Sequence, residues 1–225
     1  MPEPSRHDTP VVIVGSGWAG LAAAIELTRR QIPVHLIEAA RQPGGRARTV
    51  RSGNLVVDNG QHLMIGAYQS MLKLMEQVGV DIDAAFERLP LTLKLLNGNS
   101  TSLLLKTPRL PAPWHLLAAI LTAHGLSAAE QIKALRFGRY VLKQTRPADT
   151  DISVLALLHS RAQSPGLIRK LWEPLCIATL NTPIDIASAH LFIKVLGTAF
   201  GNHQQHADLL IPRRELSDLL PRPCL

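Results

Sequence analysis

Residues 11–20 read Val11-Val12-Ile13-Val14-Gly15-Ser16-Gly17-Trp18-Ala19-Gly20, and this stretch decides the fold. The β-branched run predicts a strand buried on both faces, as in a parallel sheet. Leu21, Ala24, Ile25 and Thr28 then recur at helical spacing, which predicts a helix over Trp18–Arg30. Gln31-Ile32-Pro33 ends that helix, and Val34-His35-Leu36-Ile37 reads as a second strand ending at Glu38. Strand, glycine turn, helix and strand make a βαβ opening of the α/β class. Gly15 provides the tight turn, Gly17 lets the backbone approach a pyrophosphate, and Gly20 lets helix and strand pack closely. The free N–H groups and positive dipole end of the helix then face the phosphates. Glu38 lies 18 residues beyond Gly20. The fingerprint places there the acid that accepts from ribose hydroxyls. A glycine pattern alone is a weak signal. The strand, helix, second strand and acid around it make this one a dinucleotide site.

Further along, Gly44-Gly45-Arg46-Ala47-Arg48-Thr49 follows the second strand. Its two glycines permit close backbone approach, and an arginine there suits a phosphate or the edge of a polar ring. Ser52-Gly53-Asn54 is a turn signal before the strand Leu55–Val57, and Asp58-Asn59-Gly60-Gln61-His62 follows as a polar loop. His62 reads either as an ordinary loop histidine or as a weak candidate for proton transfer, since an imidazole titrates near neutrality.

The rest of the chain is organised around this opening. Helical spacing covers Tyr68–Val78 and stops at Gly79. Leu91–Leu96 and Thr101–Leu105 flank Asn97-Gly98-Asn99-Ser100 and predict a hairpin. Pro108, Pro111 and Pro113 mark a boundary, after which residues 114–201 read as mainly helical. Ser127 and Glu130 have capping-box spacing. Further helices are predicted over Ser153–Arg161, Pro165–Cys176 and Asp185–Phe200, with Asn181 and Thr182 as caps and Pro183 in a first turn. Asp208–Ile211 reads as a strand returning to a sheet that lies outside this chain, and Leu216–Leu220 as a last helix. The expected division is a nucleotide-binding module over 1–90, a hairpin and helical insertion over 91–205, and the start of a return over 206–225.

Composition narrows the function. Hydrophobic residues make up 46% of the 225, enough for a sizeable core, and aromatics only 4%, so that core is aliphatic. The formal net charge of +7 favours anionic partners. The basic residues are scattered with no nucleic-acid reader motif, which argues against nucleic acid as the partner. Two distant cysteines, Cys176 and Cys224, give neither a disulfide framework nor a metal cluster, and fit a reducing, cytoplasmic setting. No apolar run approaches the ~20 residues of a membrane span. The apolar stretch Trp114-His115-Leu116-Leu117, close to Arg109, reads either as buried helix or as a segment that dips into a bilayer surface.

Several motifs carry a resemblance. Glu38-Ala39-Ala40 followed by Gly44-Gly45-Arg46 resembles the FAD-binding stretch of the amine oxidase and phytoene desaturase superfamily. Within it, Gly17-Trp18-Ala19-Gly20-Leu21, Asp58-Asn59-Gly60-Gln61-His62, Trp172-Glu173-Pro174-Leu175, Leu180-Asn181-Thr182-Pro183 and Asp208-Leu209-Leu210-Ile211-Pro212 resemble the bacterial hydroxysqualene dehydroxylases, the squalene-associated FAD-dependent desaturases of hopanoid biosynthesis. The resemblance runs from Val11 to Leu220. It implies a Rossmann-like FAD-binding domain of the GR2 flavoprotein type with an inserted, mainly helical substrate domain. It implies FAD as cofactor, held by Gly15, Gly17, Trp18, Ala19, Gly20, Glu38, Ala39, Gly45 and Arg46, with Gly60, Gln61 and His62 near the flavin ring. The implied reaction is reductive removal of a hydroxyl from hydroxysqualene, an apolar isoprenoid alcohol, with the helical block Trp114–Phe200 lining the pocket. A lipid substrate in turn implies peripheral contact with the inner face of the cell membrane. A carotenoid-type desaturase or an amine oxidase would share the FAD signals. Members of the family continue well beyond this length, so the expectation is that the C-terminal part, with a second flavin contact, lies outside the chain. A non-catalytic nucleotide-binding remnant stays open beside the enzyme readings.

Overall fold

The computed structural model describes residues 9–60, 62–144, 150–201 and 203–224. The chain divides into two compact units. One holds residues 1–64, 68–89 and 209–225, and the other residues 65–67 and 90–208.

The first unit opens with β1 (Val11–Val14), α1 (Trp18–Arg29) and β2 (Val34–Ile37), the two strands parallel and in register from Val11 opposite Val34 to Val14 opposite Ile37. The β1–β2 sheet has two strands among the described residues. Where the sequence predicts β1 buried on both faces, Val12 is 56% exposed and Val14 84% in this chain. An apolar strand is buried only where further layers cover it. Next come the antiparallel hairpin β3 (Thr49–Ser52) and β4 (Leu55–Asp58), the short β5 (Met64–Ile65), α2 (Gln69–Gln77), α3 (Ile82–Ala85) and β6 (Phe86–Leu89). Asp81 caps α3 by accepting from the N–H groups of Asp83 and Ala84.

The second unit begins with the antiparallel pair β7 (Thr92–Asn97) and β8 (Ser100–Lys106), turning through Gly98 at φ +58°. Its helices are α4 (Trp114–Leu121), α5 (Ala128–Lys143), α6 (Val154–Ser160), α7 (Pro165–Leu167), α8 (Glu173–Leu180) and α9 (Ala189–Gly201). The predicted capping box at α5 is present in both directions. Where one helix was expected over Pro165–Cys176, α7 and α8 are joined by five residues of π-helix, Ile168–Trp172. Pro174 accounts for it, since it has no N–H for the carbonyl four residues back and the ladder must widen there. Asn181 adopts a left-handed conformation, φ +48°, and ends α8 rather than starting the next helix. That next helix begins at Ala189, four residues later than expected. Ser188 caps it by accepting from Leu191 N–H, and is itself held by Asp151.

The chain then re-enters the first unit as β9 (Leu209–Pro212) and α10 (Leu216–Leu219). The sequence reading leaves β9 without a sheet. In the structure it lies between β5 and β6, pairing antiparallel with β6 from Phe86 opposite Pro212 to Leu89 opposite Leu209. Leu21, Met75, Ala85, Phe86, Leu210 and Leu219 form the core of this unit. A separate core around Leu103, Phe137, Leu158, Leu167, Trp172 and Phe192 holds the second.

Candidate functional site

The two glycine-rich loops of the first unit form one site. Gly15 leaves β1 at φ +95°, and its N–H donates to Ile37 carbonyl, which fixes the turn against β2. A methyl group on Gly20 would stand 2.0 Å from the Gly15 carbonyl oxygen, so α1 lies against β1 at a distance only glycine permits. The second loop is stitched to the first. Gly44 N–H donates to Ser16 carbonyl at 2.8 Å, and Gly17 and Gly44 form a parallel bridge. Gly44 and Gly45 have φ of +109° and +58°, and a Cβ on Gly45 would come within 3.1 Å of Gly17 Cα. Trp18 braces the pair from below: its indole N–H donates to Ala47 carbonyl at 2.9 Å and its ring packs on the core.

Glu38 stands at the end of β2, facing this junction. One carboxylate oxygen accepts from both the N–H and the hydroxyl of Ser16, and the other from Ala40 N–H. The Ser16 hydroxyl, followed by the Ala40 and Ser16 N–H groups, pulls the Glu38 pKa down to about 2. A permanently ionised carboxylate at a strand end is a strong acceptor for hydroxyl groups.

The third predicted segment is tied to the second loop. Asn59 N–H donates to Arg48 carbonyl and its side-chain amide to Arg46 carbonyl. Gly60 turns at φ +88°, and one ring nitrogen of His62 lies 3.1 Å from Gly60 carbonyl. Asp58 accepts from the Thr49 hydroxyl and from Leu216 N–H, clamping β3, β4 and α10 together. Gln61 lies outside the described residues. Gly15, Gly17, Trp18, Gly20, Glu38, Ala39, Gly45 and Arg46 thus come together at the loop junction, with Ala19 exposed on the first turn of α1. Two residues were missed. Ser16, buried at 1% exposure, positions Glu38, and its place between two fingerprint glycines was the available signal. Arg48 has its Nε buried with no hydrogen-bond partner. It borders a polar cleft of about 780 Å³ that also takes in Arg41, Arg51 and Arg222.

These residues fit a dinucleotide. Gly17 caps α1 with no side-chain hydrogen bond, which leaves the first N–H groups of a twelve-residue helix free. A Cβ on Gly17 would meet nothing within 4 Å, so the space in front of that helix is open to a phosphate.

The second unit contributes an apolar cavity of about 520 Å³. Leu105, Ile120, Phe137, Leu171, Trp172 and Leu196 are among its buried walls. Its lining draws on the hairpin, through Leu91, Leu93 and Leu105, as well as on the helical block that the sequence pointed to.

Fold and site together define the class: a dinucleotide-binding α/β unit of the GR2 flavoprotein type, joined to a second, mainly helical unit. The chain belongs to the family described as flavin containing amine oxidoreductase, whose model matches residues 18–209. It is 29% identical over 198 residues to hydroxysqualene dehydroxylase of Zymomonas mobilis, covering 82% of this chain and 42% of that protein. It is 27% identical over 211 residues to zeta-carotene desaturase of Zea mays, covering 86% and 36%. In structure it is similar to an oxidoreductase from Methanosarcina mazei, with a TM-score of 0.65 at 16% identity, over 94% of this chain and 47% of that one. The chain spans less than half the length of each of these proteins.

Proposed function

We propose that these residues form the cofactor-binding and substrate-pocket part of an FAD-dependent oxidoreductase that removes the hydroxyl group of hydroxysqualene to give squalene. The observation that carries this reading is the cavity of the second unit, where Arg139 and Lys143 are the only charged residues among the described residues of its lining. Such a space suits a long hydrocarbon and excludes the water that would compete for a reactive carbon.

On this reading Glu38 holds the adenosine ribose, the N-terminus of α1 and the second glycine loop hold the diphosphate, and Arg48 offers its unpaired Nε to the cofactor. The chemistry a reduced flavin supplies when bound is a hydride to carbon. In the overall reaction the C–O bond breaks, a C–H bond forms, and the departing oxygen takes a proton to leave as water. Hydroxysqualene dehydroxylases among the relatives, and the Trp172-Glu173-Pro174-Leu175 and Leu180-Asn181-Thr182-Pro183 segments, support this substrate. The zeta-carotene desaturase relatives favour a second reading, in which the same cavity takes a polyene and a double bond is introduced.

Product analysis separates the two. The protein is incubated with FAD, dithionite and hydroxysqualene, and the lipids are extracted for mass spectrometry. Squalene is the expected product. An unchanged alcohol, with desaturation of a carotenoid substrate under oxidising conditions, would overturn the dehydroxylase reading and leave the flavoprotein one standing.

A further inference from the structure

The second unit holds another cavity, of about 910 Å³, against a different stripe of α9. Leu196 and Phe200 face the apolar cavity, whereas His190, Lys194, Gly197, Thr198 and Gly201, at helical spacing, line this one. Tyr140 on α5, and Leu157 and Arg161 at the end of α6, also line it. A Cβ on Gly197 would meet nothing within 4 Å, so the space over the middle of α9 is open.

The polar groups of this cavity are of one kind. Its lining carries Arg161, Lys194 and the His190 imidazole and, among the described residues, no carboxylate. The Arg161 guanidinium is set 3.7 Å over the Tyr140 ring, and neither it nor Lys194 meets a carboxylate among the described residues. His190 is fixed from behind. Its backbone N–H and the Ser188 hydroxyl both donate to Asp151, and its ring Nδ1 lies 3.7 Å from the same carboxylate. Nε2, on the other side of the ring, is buried with no hydrogen-bond partner. A buried polar atom left unpaired is costly, and a ligand atom would satisfy it. An imidazole protonated at both nitrogens donates to an anion there. Leu142, Leu157 and Ile193 give the same space apolar walls.

We propose that this cavity is a second ligand site, for a small amphiphilic anion. Its carboxylate or phosphate head is held by Arg161, Lys194 and His190 Nε2, and its apolar body lies along Leu142, Leu157 and Ile193. The site goes beyond the reaction assigned above and depends on neither its substrate nor the flavin.

Calorimetric titration of the chain with decanoate, decyl phosphate and decanol, each below its micellar range, tests it. Both anions should bind, the tighter one identifying the head group, and the neutral alcohol should bind about tenfold more weakly or less. Arg161→Gln with Lys194→Gln should weaken anion binding by about 100-fold, about tenfold for each cation, and leave decanol unchanged. Gly197→Leu keeps every polar group, favours the helix and fills the open space, so it should abolish anion binding. Circular dichroism confirms that each variant is folded. Anion binding that survives Gly197→Leu would place the ligand in the apolar cavity and overturn the proposal. So would a folded wild-type chain that binds neither anion, or one that binds decanol as tightly as decanoate. FAD uptake on the same samples, expected to be the same in all variants, separates failure of this site from failure of the flavin reading.

Discussion

Ser16 gives both its N–H and its hydroxyl to one carboxylate oxygen of Glu38, at 2.7 and 2.5 Å. This couples the turn after β1 to the end of β2, and it sets the charge and direction of the acid assigned to the ribose. Glu38→Gln keeps the shape and removes the charge. FAD affinity should fall by about tenfold or more, since a hydrogen bond to a charged group contributes roughly 1.5–3 kcal/mol. Ser16→Ala should weaken binding less. Titration of flavin fluorescence reads both. The pKa of about 2 is depressed from the ordinary 4.5, so this carboxylate's contribution to folding is complete above 4.5 and lost as pH falls towards 2. Near neutrality it gives FAD binding no pH dependence.

Two glycines of the fingerprint should behave in opposite ways. At Gly20 an added methyl collides with backbone, so Gly20→Ala should cost about 3 kcal/mol of stability, read by denaturant unfolding. At Gly17 the same methyl meets no protein atom. Gly17→Ala should change stability by about 1 kcal/mol or less and still abolish FAD binding, because it fills the phosphate space.

In the second unit, Trp172 donates its indole N–H to Gln163 Oε1 at 2.9 Å, and the Gln163 amide donates to the carbonyls of Lys133 and Arg161. Trp172→Phe keeps most of the ring packing against Phe137 and leaves a buried acceptor without its donor. A loss of about 1–3 kcal/mol is expected in thermal or urea unfolding.

His115 is fully buried, and that burial lowers its pKa from the ordinary 6.5; the Pro111 carbonyl and Asp208 oppose the shift more weakly. The unfolded chain therefore takes up a proton before the folded one does. Stability should be level above about pH 7 and fall as the solution is acidified through 6.5. His115→Leu should flatten this slope, measured by unfolding midpoints across the pH range.

Much of the cofactor site was legible because its signals are local. The residues from Val11 to Glu38 that make the βαβ unit are contiguous, and the glycines at 15, 17 and 20 act through backbone geometry that the sequence states directly. The capping box at Ser127 and the turn at Gly98 are likewise short-range. What escaped depends on distant partners. β6 became a strand through pairing with β9, more than a hundred residues away, and no local pattern around Phe86–Leu89 announces it. Asp58 reads only as the start of a polar loop, and the bond its carboxylate accepts from Leu216 N–H comes from a partner 158 residues away. The β-branched run of β1 promised burial, but periodicity reports a strand's preference and says nothing about what covers it.

The most direct test of the account is equilibrium binding of FAD to the purified chain, followed by the visible spectrum after desalting. Wild type should take up one FAD and show an oxidised-flavin band, with Glu38→Gln weakened and Gly17→Ala colourless but folded. A folded wild-type chain that takes up no FAD, or binds it equally well with Gly17→Ala, would contradict the assignment of the two glycine loops and Glu38 as the cofactor site.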